Sequence, residues 1–79
     1  MKIKIISYGI VIEEKYDVND VSSIFIESGE DILDAMEDGV KYVPNRTKIC
    51  NTESYLCVRN VRDAQIDVFS SDCYAKIDW

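Results

Sequence analysis

Carboxylates are the side chains of this 79-residue chain whose number and spacing could do chemistry. The sequence holds 15 acids against 9 bases and no histidine, for a formal net charge of −6. Residues 13–38 carry ten of the acids and a single base, Lys15, for a net −9, whereas residues 1–12 contribute +2 and residues 39–79 contribute +1. The negative charge is therefore local, which indicates one acidic surface rather than a uniformly acidic protein.

Within this segment the acids follow a helical spacing. Glu30, Asp34 and Glu37 lie at i, i+4 and i+7, so their carboxylates would be roughly 5–6 Å apart along one helix face. That spacing is close to the roughly 6 Å between successive phosphates of a nucleic-acid strand. Such a row could occupy the lysine and arginine groove of a nucleic-acid-binding protein. The alternative is a solvated face that keeps a small protein soluble and monomeric. The full set of predicted partner-binding residues is Glu30, Asp31, Asp34, Glu37, Asp38, Glu13, Glu14 and Asp17.

Catalytic groupings are not visible in the sequence. Without histidine, a Ser-His or Cys-His nucleophile is excluded. Carboxylate pairs such as Asp63 and Asp67, or Glu30 and Asp31, are conceivable, but a general acid must be buried enough to raise its pKa. An exposed helix does not supply that environment. We predict no catalytic residue and expect a binding protein, and a small carboxylate enzyme ranks last among the alternatives.

Neither a metal nor a cofactor is predicted. Cys50, Cys57 and Cys73 are an odd number of thiols with no CxxC pair, which argues against both a disulfide framework and a zinc site. We expect buried, reduced thiols that behave as small hydrophobic groups. Acids on a regular helix diverge too far to surround a cation, so weak surface binding is the most they would provide. The three glycines stand alone and form no phosphate-binding loop.

The alternation of apolar residues predicts the strands that precede the acidic helix. Residues 2–14 are predicted as one strand with a bulge or bend beside Gly9, because the apolar phase shifts there. Residues 17–20 supply turn chemistry. Residues 22–27 form a second predicted strand, and the short polar connection favours an antiparallel hairpin with the first.

One short amphipathic helix is predicted between Ser28, a favourable N-cap residue, and Gly39, a favourable stop. Its acids lie opposite an apolar arc, which should face the core. That arc consists of Ile32, Leu33, Ala35 and Met36.

After the helix the pattern returns to period two. Strands are predicted at residues 40–43, 47–50, 55–61, 65–69 and 73–78, joined by short polar turns. The expected fold is α+β, with a single amphipathic helix packed on an antiparallel sheet in the order ββα followed by a three- to five-strand meander. We expect one domain spanning residues 1–79, in which Trp79 either seals the end of the core or is an exposed anchor for a partner.

Localisation follows from hydropathy. No apolar run approaches the roughly 18 residues of a membrane span, and no signal-peptide pattern is visible. We therefore expect a cytoplasmic protein that does not contact a membrane.

By its size, acidity and lack of catalytic residues the chain resembles, as a class and without a shared motif, phage-encoded inhibitors of host defence such as anti-CRISPR and anti-restriction proteins. The leading hypothesis is an inhibitor that occludes a basic, nucleic-acid-handling protein in the host cytoplasm, with no cofactor and no direct contact with nucleic acid. The alternative is a structural or assembly module that pairs through a sheet edge. A monomer would favour the first and a homodimer the second.

Overall fold

The computed structural model describes residues 1–78. The two roles predicted for Trp79, sealing the core or anchoring a partner, concern a residue outside this range. The strands are β1 (Lys2–Ser7), β2 (Ile10–Asp17), β3 (Val21–Ser28), β4 (Tyr42–Pro44), β5 (Ser54–Asn60), β6 (Gln65–Phe69) and β7 (Cys73–Asp78). A short 3-10 helix at Val18–Asp20 links β2 to β3, and helix α1 (Gly29–Glu37) follows β3 directly. Across residues 1–78 no helix has the length and apolar character needed to cross a membrane.

The strands form two sheets rather than one. The smaller sheet has the order β2-β1-β7, and the larger has the order β3-β5-β6-β4. All pairings are antiparallel except that of β4 with β6. The predicted α+β class with one helix is thus confirmed for the described chain, whereas the single antiparallel sheet is a wrong prediction.

The larger sheet is the middle layer, with apolar side chains on both of its faces. Successive residues of β5 alternate between two cores, because side chains on a strand point to opposite faces in turn. The core between the two sheets contains Ile3, Ile5, Tyr16, Leu56, Val58, Phe69 and Cys73. The core on the other face, which α1 covers, contains Ile32, Tyr55, Cys57, Ile66 and Val68.

The predicted strand over residues 2–14 is two strands joined by a tight turn. Tyr8 and Gly9 have φ of +50° and +75°, and two successive left-handed residues form the turn that suits the twist of a two-residue hairpin. The order before the helix is therefore βββ rather than ββ. The apolar phase shift between Ile5 and Ile6 lies within β1, where the pairing register with β2 is irregular in two places. Glu13 supports this stretch, because its Oε1 accepts the backbone N–H groups of Glu14 (3.2 Å) and Lys15 (3.3 Å).

The pairing of β3 also differs from the prediction. It does not form a hairpin with the first strand, although β2 has an open side at the edge of the smaller sheet, because the 3-10 helix carries the chain into the other sheet. Instead β3 pairs with β5, 26 residues further along at Ser28 and Ser54. The pairing is decided by which strand can share two buried faces, not by proximity in the chain.

The predicted meander is only partly present. Strands β5 and β6 form a hairpin, but β7 crosses to the smaller sheet and pairs with β1, while β4 adds to β6 in parallel. The predicted strand at 47–50 is a loop. The Tyr55 hydroxyl holds this loop, since it accepts the N–H of Cys50 at 2.7 Å and donates to the carbonyl of Lys48 at 2.9 Å.

Helix α1 begins and ends as predicted. The Ser28 hydroxyl caps it by accepting the N–H of Asp31 at 3.2 Å, and Gly39, with φ of +91°, follows its last turn. Its apolar arc is only partly covered, however. Ile32 is fully buried, whereas Leu33 and Met36 are each 38% exposed.

Candidate functional site

The eight predicted partner-binding residues lie on two different layers of the molecule. Glu30, Asp31, Asp34, Glu37 and Asp38 are all exposed, on α1 and at its C-cap. Glu13, Glu14 and Asp17 lie on β2, in the smaller sheet. Since α1 and the smaller sheet cover opposite faces of the larger sheet, the structure does not unite these groups into one surface.

Two of the three β2 acids are committed to the backbone. Glu13 binds the two amides described above, and the carboxylate of Asp17 accepts the N–H of Asn19 at 3.0 Å, as the cap of the 3-10 helix. Glu14 is exposed, and its carboxylate accepts no hydrogen bond from residues 1–78. The candidate site is therefore the surface that we call the acidic helix face. It consists of Glu30, Asp31, Asp34, Glu37 and Asp38.

The carboxylates of the acidic helix face have no basic partner among residues 1–78. The ion pairs within residues 1–78 lie on other elements and join Lys4 to Asp78 (3.1 Å), Lys15 to Asp67 (3.7 Å) and Arg62 to Asp20 (3.5 Å). Their negative charge is thus left to the solvent or to a partner.

The position of these acids on the helix is not explained by helix stability. Glu30 and Asp31 occupy the first turn, where the positive end of the helix dipole stabilises them. Glu37 and Asp38 occupy the opposite end, where a carboxylate is unfavourable and where no base is present in the last turn. Like charges at i, i+4 such as Glu30 and Asp34 add a repulsion of a few tenths of a kcal/mol.

An apolar strip borders the acids. At about 100° per residue, Leu33 and Met36 fall between the buried Ile32 and the acids Glu37 and Glu30 on the helix circumference. Both remain substantially exposed. Apolar side chains beside a charged border are the composition of a small protein-docking surface, in which the apolar part supplies affinity and the charges supply orientation.

A polar cluster around one buried carboxylate lies elsewhere, between the sheets. Asp67 of β6 is only 1% exposed. Its Oδ2 accepts the hydroxyl of Tyr16 from β2, its Oδ1 accepts the amide of Gln65 at 2.9 Å, and the Lys15 ammonium lies 3.7 Å away. The carboxylate pair Asp63 and Asp67, which the sequence made conceivable, is not formed, because Asp63 is exposed in the turn before β6 whereas Asp67 is buried.

This cluster is a cross-link between the sheets. Burial and the hydrogen bond to Asp67 raise the pKa of Tyr16, so the phenol stays protonated and remains a donor. No buried side-chain nitrogen or oxygen within residues 1–78 lacks a partner. The one sign of this cluster in the sequence is the spacing of Asp67 and Phe69. They are two residues apart on β6, so the acid shares the face of the strand on which Phe69 points towards the smaller sheet.

A polar cavity of about 250 Å³ adjoins the cluster. Its lining residues are Lys15, Tyr16, Asp20, Asn60, Arg62 and Asp63. The two bases and two acids in this lining balance, and Arg62 is already paired with Asp20. The cavity thus presents no net charge with which to select an ionic ligand.

The thiols and the metal-ligating side chains form no centre within the described part of the chain. Cys57 and Cys73 are buried as predicted, but Cys50 is exposed, and all three are free. No group of three or more Cys, Asp or Glu side chains among residues 1–78 is arranged to hold a metal ion.

Comparison with family models, with curated proteins and with solved structures finds no match to this chain.

Proposed function

We propose that this chain is a protein-binding module that docks through the acidic helix face on a basic, nucleic-acid-handling protein and inhibits it by occlusion. The observation that supports this proposal is the group of exposed, unpaired carboxylates beside the exposed Leu33 and Met36. A phage-encoded inhibitor acting on a nuclease in the host cytoplasm is the form of this proposal that we favour.

The chemistry of the face selects the partner. Glu30, Asp34 and Glu37 offer a row of negative charge to lysine and arginine side chains that otherwise bind phosphates. Direct binding to nucleic acid is disfavoured, because a net charge of −6 repels the phosphate backbone. Association should be fast and should weaken as salt is added, since exposed charges steer the encounter and are screened.

Competition with nucleic acid is the test of occlusion. Purified nucleases and DNA-binding proteins are titrated with the chain, and their release from a labelled duplex is followed by fluorescence anisotropy. The double variant Asp34→Lys with Glu37→Lys should weaken competition at least about 10-fold, because opposed charges become like charges at the interface. The control is Asp63→Lys with Asn19→Lys and Ser71→Lys, which makes the same charge change of +4 at exposed positions away from α1.

Two further variants separate the contributions of charge and apolar contact. Leu33→Ser should weaken binding without changing its salt dependence, whereas Asp34→Asn should flatten the salt dependence. Equal competition by the helix double variant and its control would contradict the proposal, as would binding of protein and duplex at the same time.

A second candidate function, assembly through a sheet edge, is favoured by a separate feature of β3. It does not depend on the acidic helix face.

A further inference from the structure

Four strands end the two sheets, and three of them carry the usual protection against pairing with another chain. Strand β4 has only three residues and ends in Pro44. Strand β2 is irregular in register and has three consecutive charges at 13–15. Strand β7 presents Lys76 and Asp78. Short length, proline, bulges and charges are the devices by which proteins keep sheet edges apart.

Strand β3 lacks most of these devices. It has eight residues, with no proline, no lysine and no arginine, and Glu27 is its one charge. Its register with β5 is irregular only at Val21–Ser23. From Ser23 onwards it is a regular, unprotected edge.

The ladder with β5 shows which backbone groups of β3 face outwards. Just past the strand end, the N–H of Gly29 donates to the carbonyl of Glu53, the residue directly opposite in register, at 2.6 Å. Hydrogen-bonded positions alternate along an antiparallel pair, so the backbone N–H and C=O groups of Glu27 and Phe25 also face β5. Ile24 and Ile26 therefore direct their N–H and C=O groups away from β5. Outside the strand ladders, neither forms a backbone hydrogen bond within residues 1–78.

The side chains of this edge are apolar as well. Ile26 pairs in register with Leu56, so both lie on the face that packs against the smaller sheet. Leu56 is buried there, but Ile26 is 65% exposed, because it lies at the rim of the sheet. Ile26 is thus an exposed apolar side chain on the core-facing side of the sheet, next to backbone N–H and C=O groups that face away from β5.

We infer that β3 pairs with β3 of a second copy of this chain, antiparallel, about a two-fold axis that passes between the two copies of Phe25. In this register Ile24 of one copy lies opposite Ile26 of the other, which joins the outward backbone groups and covers the exposed Ile26 with an apolar neighbour. Glu27 lies opposite Ser23 of the other copy, so the two carboxylates do not face each other.

A neighbouring register is less favourable. Placing Ile24 opposite its own copy would put Ile26 against Ser22 and leave it without an apolar neighbour. The register centred on Phe25 joins the two larger sheets into one of eight strands. Because the two-fold axis is perpendicular to the sheet, both copies of α1 lie on the same face of the dimer.

The first test is the mass of the full chain in solution. Sedimentation from about 5 µM to about 500 µM should show a concentration-dependent rise from 9.1 kDa to twice that mass, since a single pair of edge strands makes a small interface. Ile26→Lys should abolish the rise, because it sets a cation on the new seam. The matched control is Ile77→Lys, another exposed isoleucine on an edge strand, which should leave the dimer intact.

The second test reports the register itself. In a Cys50→Ser background, Ser23→Cys with Glu27→Cys should give a covalent dimer under mild oxidation, because both positions lie opposite each other in the proposed pairing. Within one chain they are four residues apart along a strand, about 13 Å, which is beyond disulfide reach. Each single variant should remain uncross-linked.

A mass of 9.1 kDa at every concentration would overturn the inference, as would a dimer that survives Ile26→Lys. Cross-linking of the single variants to the same extent as the double variant would overturn the register. The inference is tested separately from the proposed function, since the dimer depends on β3 and competition with nucleic acid depends on the acidic helix face.

Discussion

At the scale of single residues, the contact between Tyr16 and Asp67 matters most, because it joins β2 to β6 across the two sheets. In the folded chain the Asp67 carboxylate is bound by the Tyr16 hydroxyl, the Gln65 amide and the Lys15 ammonium instead of by water. Removing one donor leaves a buried acceptor partly unsatisfied, which costs more than the hydrogen bond itself contributes.

We expect Tyr16→Phe to lower the free energy of unfolding by about 1–3 kcal/mol, since the volume is kept and only the donor is lost. Urea unfolding followed by circular dichroism measures this. Tyr74→Phe, at an exposed position, is the control and should change stability by less than about 0.5 kcal/mol. Equal effects of the two substitutions would show that the cross-link contributes nothing.

The buried thiol of Cys57 predicts a loss of stability in alkali. Burial, and to a lesser extent the nearby Glu27 carboxylate, raise the pKa of Cys57 from 9.0 to about 11. The folded chain therefore keeps its proton where the unfolded chain ionises, so this contribution is complete below pH 9 and is lost as the pH rises towards 11. The raised pKa of Tyr16 acts in the same direction above pH 10.

Cys57→Val should reduce this alkaline loss, because the substitution removes the ionising group and keeps a buried apolar side chain. The measurement is the free energy of unfolding at pH 7 and at pH 10, each protein being compared with its own value at pH 7. An unchanged alkaline loss in the variant would assign the effect to other groups, Tyr16 first.

At the scale of elements, the start of α1 depends on a close approach of two backbones. A Cβ on Gly29 would lie 1.8 Å from the carbonyl oxygen of Cys50, in the loop that Tyr55 holds. Gly29 thus has no room for any side chain, although alanine is the better helix former.

Gly29→Ala should lower stability by about 1–3 kcal/mol, because the loop must move to admit the methyl group. Propensity alone would predict a gain of about 1 kcal/mol, so the sign of the change decides between the two effects. Gly39→Asn is the control: its surroundings are open and asparagine tolerates a positive φ, so the loss should stay below about 1 kcal/mol. Thermal unfolding of both variants provides the comparison.

At the scale of the whole molecule, the net charge of −6 acts in opposite directions on the two proposed associations. Two copies paired through β3 bring like charges together and place both acidic helices on one face, so they repel. Docking on a basic partner brings opposite charges together. Salt screens both interactions.

Raising the salt concentration from about 50 mM to about 500 mM should therefore strengthen the dimer and weaken partner docking, since the Debye length shortens several-fold. Sedimentation and the nucleic-acid competition assay measure the two effects separately. Dimerisation that weakens with salt would indicate an interface held by ion pairs, not by β3.

Local features can be predicted from the sequence where a few neighbouring residues decide them. Ser28 and Gly39 delimit α1, and residues 65–69 and 73–78 are strands with the predicted bounds. The turn at Tyr8 and Gly9 differs from the predicted bulge or bend, because it lacks the asparagine or aspartate before glycine that usually marks such a turn.

By itself, then, the sequence determined the α+β class, the position and caps of the helix, and the exposed acidic row on it. Backbone propensity, capping and periodicity act over a few residues, so they can be read in order along the chain. Only the tertiary structure decided that the strands divide into two sheets, that β3 lies at an edge, and that Asp67 is buried against Tyr16. These outcomes depend on which distant strands can bury both faces of the larger sheet at once, and alternation within one strand carries no information about its partner.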